Sequence, residues 1–161
     1  SIYLKYFANE KFFEASKGGI TIERTYHRVS WDGKKRHLEE LPEGVTVKSG
    51  DEIQVTCRIQ GDRKYEYLML EIPMPSGFEA VREQRSRYGW RWNWWYSHKE
   101  FRDEKVAVAM THLYQGRDNV IRYTMRAERP GNYSVLPAVA FDMYYPQIGG
   151  NSREFRINVV D

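Results

Sequence analysis

The sequence lacks several features that would place it in a common functional class. Its 161 residues contain a single cysteine, Cys57, so no disulfide can form within the chain. No apolar run approaches the ~20 residues that a membrane-spanning helix requires. The four histidines are far apart, and no glycine-rich loop precedes a helical pattern. The sequence therefore predicts neither a metal site nor a cofactor site.

The charged residues also argue against two functions. There are 25 Lys and Arg against 22 Asp and Glu, mixed along the chain without a dense basic block, so we expect no nucleic-acid binding. Glu39 and Glu40 are adjacent and would face opposite sides of a strand, which does not suit paired acid–base catalysis. His98 and Glu100 form half of a zinc-deaminase pattern whose paired cysteines are missing. We expect no catalytic residue and no enzymatic activity.

Alternation of apolar and polar residues dominates what is present. Aromatics make up 15% of the chain, and long helical periodicity is missing. Strands are predicted at residues 45–47, 53–59, 65–72, 106–110, 120–127, 133–136 and 155–159. Their spacing predicts an all-β, antiparallel β-sandwich with at most one short helix, near residues 97–104. We expect residues 1–161 to form one such domain.

Turn chemistry separates these strands. Residues 48–51 have turn composition, and Pro73, Pro75 and Gly77 end a central strand. Residues 115–119 are predicted to join their two flanking strands into a hairpin. Pro130 and Gly131 fit the central positions of a type II turn, which needs a positive φ at the glycine.

An aromatic stripe occupies residues 88–96. On an extended chain Tyr88, Trp90, Trp92, Trp94 and Tyr96 fall on one face. If buried, they would form a second small core beneath a long loop. If exposed, they would suit stacking on sugar rings, which makes a carbohydrate-binding module the alternative function. An adhesion or scaffold domain is a further possibility.

Three ordered stretches carry a resemblance to a known family. They are residues 70–79 (LEIPMPSGFE), 100–116 and 123–152, the last containing Asp142, Met143, Tyr144 and Tyr145. In this order they resemble the C-terminal macroglobulin-like domain of bacterial alpha-2-macroglobulins, which holds the position of the receptor-binding domain in eukaryotic relatives. Residues 3–26 resemble the family's lead-in, so residues 1–19 are expected to come from the preceding segment.

The resemblance implies a role in a broad-range endopeptidase inhibitor that acts by entrapment. The chain would be a piece of a larger exported protein, periplasmic or associated with the cell envelope, and would pack on the thioester domain and neighbouring macroglobulin-like domains. Proteases would be partners of the full-length protein. Met143 and Tyr144 match the pair that shields the thioester in this family. The alternative is that Met143 fills the core and Tyr144 or Tyr145 anchors a loop.

Cys57 and Gln60 match the outer residues of the family's Cys-x-Glu-Gln thioester motif. The match fails at Ile59, where the motif has Glu, and the segment lies in an alternating strand rather than at the start of a helix. Cys57 is therefore predicted to be a small buried apolar residue.

Overall fold

The structure is a computed structural model that describes residues 18–81, 96–102, 104–117 and 119–161. These ranges contain thirteen β-strands and no helix, hence none that is long and apolar enough to cross a membrane. The strands are β1 (Ile20–Asp32), β2 (Lys35–Glu40), β3 (Val45–Lys48), β4 (Glu52–Gly61), β5 (Tyr65–Pro73), β6 (Phe78–Val81), β7 (Tyr96–Phe101), β8 (Lys105–Leu113), β9 (Asn119–Ala127), β10 (Gly131–Val135), β11 (Val139–Asp142), β12 (Gly149–Asn151) and β13 (Phe155–Val160). The all-β prediction is confirmed.

The strands form two sheets of five strands and one of three. The first, called here the β4 sheet, has the order β2-β1-β4-β9-β6. The second, the β5 sheet, has the order β12-β11-β5-β8-β7, and the third has the order β10-β13-β3. All pairings between these strands are antiparallel except that of β13 with β3.

The core combines alternate side chains of the β4 and β5 sheets. Fully buried residues of the two central strands belong to one cluster: Ile53, Val55, Cys57 and Ile59 of β4, with Leu68, Leu70 and Ile72 of β5. Residues two apart on a strand face the same side, so the alternation in the sequence is the pattern of burial. Complete burial of one such aliphatic side chain contributes about 1.5–3 kcal/mol.

β5 is the central strand of its sheet, as the sequence predicts, and it ends at Pro73. The chain then turns, and the amide of Phe78 donates to the carbonyl of Pro75 at 3.0 Å. Gly77 is required at this turn because the ring of Tyr133 occupies the space that a Cβ would need. The Tyr133 ring also packs edge-on against Phe78, at 5.7 Å between centroids.

The one candidate for a short helix, near residues 97–104, is a strand in the structure. Residues Tyr96–Phe101 are strand β7, which pairs with β8 and places Phe101 opposite Val106. The open edge of β8 supplies hydrogen-bond partners for the backbone of this segment. Tertiary pairing of this kind overrides a weak local preference for helix.

The hairpin predicted around residues 115–119 is also wrong. β8 pairs with β5 and β7, whereas β9 pairs with β4 and β6, so the connection crosses from one sheet to the other. Neither strand is at the edge of its sheet, and each already has two neighbours. Turn composition predicts a change of direction but does not distinguish a hairpin from a crossing between layers.

The type II turn predicted at Pro130 and Gly131 is not formed. Gly131 has a φ of 156° and is the first residue of β10, paired with Val159. A type II turn needs a φ near +80° at that position. The bend is held instead by the Tyr133 hydroxyl, which donates to the carbonyl of Arg129 at 2.8 Å.

Candidate inter-domain contact site

The loop from Asp142 to Ile148 joins β11 to β12 and is held by its own hydrogen bonds. One carboxylate oxygen of Asp142, Oδ1, accepts the amides of Tyr144 at 2.8 Å and Tyr145 at 2.9 Å. The Asp142 amide donates to the carbonyl of Ile148 at 2.9 Å, and the Ile148 amide donates to the carbonyl of Tyr145 at 2.8 Å. An aspartate that binds the amides two and three residues ahead fixes a turn in one shape. The sequence contains this signal, but our sequence interpretation assigned Asp142 no role.

Tyr67 of β5 supports the loop from the neighbouring strand. Its φ is 55°, in the left-handed region that residues other than glycine rarely adopt. The burial pattern of β5 changes phase here, because Tyr65 and Leu68 are buried while Tyr67 is exposed. The Tyr67 carbonyl accepts the amide of Met143 at 3.0 Å. Its ring meets the Tyr144 ring edge-on, with 5.8 Å between centroids and 89° between planes.

The two side chains predicted for shielding face solvent in this domain. Met143 is 50% exposed and Tyr144 is 72% exposed, and Tyr145 beside them is also exposed. Met143 therefore does not fill the core, which was the alternative interpretation of this residue. Loop and strand together present a cluster of three tyrosines and a methionine at one end of the β5 sheet.

The outward face of the β5 sheet continues this apolar surface. Met69 lies between Ala109 of β8 and Phe141 of β11, and all three point away from the core, opposite to Leu70. In the next row of the sheet Glu71 of β5 lies between Val139, which is exposed, and the small side chain of Ala107. Small residues leave this part of the sheet open to close approach. Ala107 and Ala109 thus form the small side of β8.

Cys57 and Gln60 cannot form a thioester within this chain. Both lie on β4, three residues apart, so their side chains project from opposite faces of the strand. The Cys57 side chain is fully buried in the core, and burial raises the pKa of its thiol to about 12. A buried protonated thiol is a poor nucleophile. The prediction that Cys57 is a small buried residue is confirmed.

The comparison with protein-family models gives one match, which covers most of the chain. Residues 19–147 match the model described as the bacterial alpha-2-macroglobulin MG10 domain. The chain belongs to this family.

Similar proteins place this MG10 domain within much longer chains. An alpha-2-macroglobulin of Thermotoga maritima is 33% identical over 110 residues, which is 62% of this chain and 7% of that protein. The crystal structure of Salmonella alpha-2-macroglobulin reacted with methylamine matches with a TM-score of 0.71 and 21% identity, over 92% of this chain and 10% of that one. The circularly permutated Ras protein 2 of Dictyostelium discoideum is 28% identical over 156 residues, 96% of this chain and 4% of that protein. The chain thus spans a tenth or less of each relative, and the solved structure supports the fold.

A cavity of about 530 Å³ lies beside β7 of the MG10 domain, and its described lining includes His98 and Phe101. Among its described lining residues Glu100 is the one carboxylate, and it accepts a hydrogen bond from Arg102 at 3.0 Å that lowers the pKa of Glu100. Lys99 also lines the cavity and donates to the carbonyl of Arg122 at 2.8 Å. Hydrolysis by a pair of carboxyl groups needs two of them facing one gap, and the described lining supplies one.

The remaining predicted sites of the MG10 domain have different outcomes. In the described ranges no three His, Cys, Asp or Glu residues are grouped closely enough to hold a metal ion. Tyr88, Trp90, Trp92 and Trp94 lie outside the described residues, so the aromatic stripe remains a prediction. Tyr96, its last member, begins β7 and packs against the core.

Proposed function

We propose that this domain is a non-enzymatic contact module of a bacterial alpha-2-macroglobulin that inhibits a broad range of endopeptidases by entrapment. In the full-length protein it packs on the thioester domain. Met143 and Tyr144 then lie over the thioester and keep water and small nucleophiles from it until a protease triggers the shape change.

The observation that carries this proposal is the exposure of two bulky, mostly apolar side chains on a loop of defined shape. Exposing apolar groups of this size to water is unfavourable, and covering them with another surface lowers the free energy. A thioether and a phenol ring can cover a reactive acyl group closely, and neither attacks it readily. Tyr144, with 72% of its surface exposed, is available for such a contact.

The outward face of the β5 sheet adds contact area beside the loop. Met69, Ala109 and Phe141 form one row across three strands, and the Lys105–Glu71 ion pair at 2.7 Å lies on the same face. A protein–protein contact usually combines apolar side chains with a limited number of polar and charged ones. Because the relatives are many times longer than this chain, the partner is a further domain of the same polypeptide.

The family relationship supports the wider setting. We propose that residues 1–161 form one domain, that residues 1–19 lead in from the preceding domain, and that the domain is the last of its polypeptide. The parent protein is exported to the periplasm or cell envelope. It meets proteases through its other domains, and this domain takes no cofactor.

The test is the reactivity of the full-length protein toward methylamine, measured as thiol release. Changing Tyr144→Gly removes the cover, so the rate should rise about tenfold, equivalent to ~1.4 kcal/mol. Tyr144→Phe keeps the ring and should react at the wild-type rate. Trp31→Ala is the control for loss of an exposed aromatic elsewhere, because Trp31 lies on the β4 sheet. It should also leave the rate unchanged. Wild-type reactivity in Tyr144→Gly, or no thiol release from the wild-type protein, would contradict the proposal.

A further inference from the structure

We infer that Asp142 and Tyr67 are positioning residues that hold Tyr144 in the orientation in which it covers its partner. This inference rests on the proposed function for its biological consequence. Its geometric part concerns the domain alone and can be tested without the thioester.

Asp142 fixes the backbone that carries Tyr144. Its Oδ1 accepts two consecutive amides, of Tyr144 and Tyr145, at 2.8 and 2.9 Å. Asp142 is also the last residue of β11, where it lies opposite Leu68 of β5. The backbone of Asp142 is thus anchored in the sheet, while its carboxylate organises the loop. Hydrogen bonds to an ionised acceptor are the stronger kind.

Tyr67 fixes the Tyr144 ring. Its left-handed backbone sets it outside the regular alternation of β5, with its side chain outward beside the loop. Such a conformation costs about 1–2 kcal/mol in a residue with a side chain, so it persists where the surroundings hold it in place. Here the Tyr67 carbonyl takes the Met143 amide at 3.0 Å, and the ring edge meets Tyr144. One strained residue therefore binds both members of the predicted pair.

Positioning matters because Tyr144 has little else to hold it. With 72% of its surface exposed, the free side chain would otherwise sample several rotamers, and ordering it on contact would weaken the contact. A ring that is held in place before docking avoids that cost. The aspartate and the second tyrosine therefore act through Tyr144 rather than by touching the thioester themselves.

The first experiment measures amide hydrogen exchange in the 161-residue chain. Asp142→Ala should speed exchange of the Tyr144 and Tyr145 amides about tenfold, because the acceptor is lost. Asp142→Asn keeps an acceptor oxygen in the same place, so exchange should rise only about twofold. The core amides of Leu70 and Val108 serve as the internal control. Unchanged loop exchange in Asp142→Ala, or an equal increase in loop and core amides, would overturn the role of Asp142.

The second experiment follows the NMR chemical shifts of the Tyr144 ring protons, which the neighbouring Tyr67 ring displaces. Tyr67→Phe keeps the ring and should keep the displaced shifts. Tyr67→Asn removes the ring while tolerating the left-handed backbone, so the shifts should return to values of a solvent-exposed tyrosine. Displaced shifts in Tyr67→Asn would overturn the role of Tyr67.

The same variants in the full-length protein separate this inference from the proposed function. Asp142→Ala and Tyr67→Asn should both raise methylamine reactivity, by less than Tyr144→Gly does, while Asp142→Asn and Tyr67→Phe stay near the wild-type rate. If Tyr144→Gly reacts faster but these two do not, shielding stands and positioning fails. If Tyr144→Gly is unchanged while loop exchange responds as expected, the geometry stands and the shielding function fails.

Discussion

Adjacent residues on β5 face opposite sides of the same sheet, and the two sides have different roles. Leu70 points inward and is completely buried among residues of the β4 sheet. Met69 points outward, between Ala109 and Phe141, and is only partly covered. Both of these side chains are apolar, yet only the inward one belongs to the domain's own core.

The difference teaches that apolar character alone does not identify a structural role. The inward face uses large aliphatic side chains that interlock across the layers, as in Ile53, Leu68 and Leu70. The outward face combines small residues such as Ala107 and Ala109 with a half-exposed methionine and tyrosines at its end. The first arrangement stabilises this chain, and the second suits a surface supplied by another domain.

The largest expected effect tests the inward face. Leu70→Ala should lower the free energy of unfolding of the 161-residue chain by about 2–5 kcal/mol, because it leaves a cavity between the layers. Urea denaturation followed by circular dichroism measures the change. A loss below about 1 kcal/mol would mean that Leu70 does not pack as the structure has it.

A smaller effect comes from the thiol on the inward face of β4. Burial raises the pKa of Cys57 from an ordinary value of 9.0 to about 12. The thiol therefore stays protonated to a higher pH in the folded state than in the unfolded state. This group's contribution is complete below pH 9 and is lost as the pH rises toward 12. Relative to Cys57→Ala, the wild type should lose about 2 kcal/mol between about pH 8 and 10.5.

Tyr26 and Tyr123 supply the background for that measurement. Burial raises the pKa of both phenols. The wild type and Cys57→Ala therefore both lose stability in alkali for this shared reason. The difference between the two unfolding curves isolates the thiol. Parallel curves across this pH range would show that Cys57 ionises equally easily in both states.

The smallest effect on stability is expected on the outward face. Met69→Lys should change the free energy of unfolding of the 161-residue chain by no more than about 0.5 kcal/mol. In the full-length protein the same change places a charge in the proposed contact and should raise methylamine reactivity, whereas Met69→Leu should not. A strongly destabilised 161-residue chain, or an unaltered full-length protein, would remove the distinction between the two faces.

Much of the fold could be predicted because its strands alternate clearly. β4 and β9 have one face buried, so their pattern of apolar residues is a direct record of which side meets the core. β2 was missed because all six of its residues are exposed and mostly charged, which hides the pattern and protects a sheet edge. The pairing of the strands was harder, since the step from β8 to β9 crosses between layers.

Only part of the candidate site was predicted from the sequence. Met143 and Tyr144 were named through the family resemblance, and both are exposed as a contact role requires. Asp142 carried a readable signal, a carboxylate just ahead of two residues whose amides it binds. Tyr67 carried none, because tyrosine has no preference for left-handed backbone and its conformation is imposed by the surrounding sheet.

The parallel pairing of β13 with β3 also sets an order on folding. Val159 lies beside Val47, so a strand near the beginning of the described chain pairs with one near its end. Contacts of such long sequence separation slow folding, because this small sheet cannot be completed until both distant strands are ordered. Among the described strands β3 pairs only with β13, so until β13 docks, its backbone groups are open to pairing with another chain.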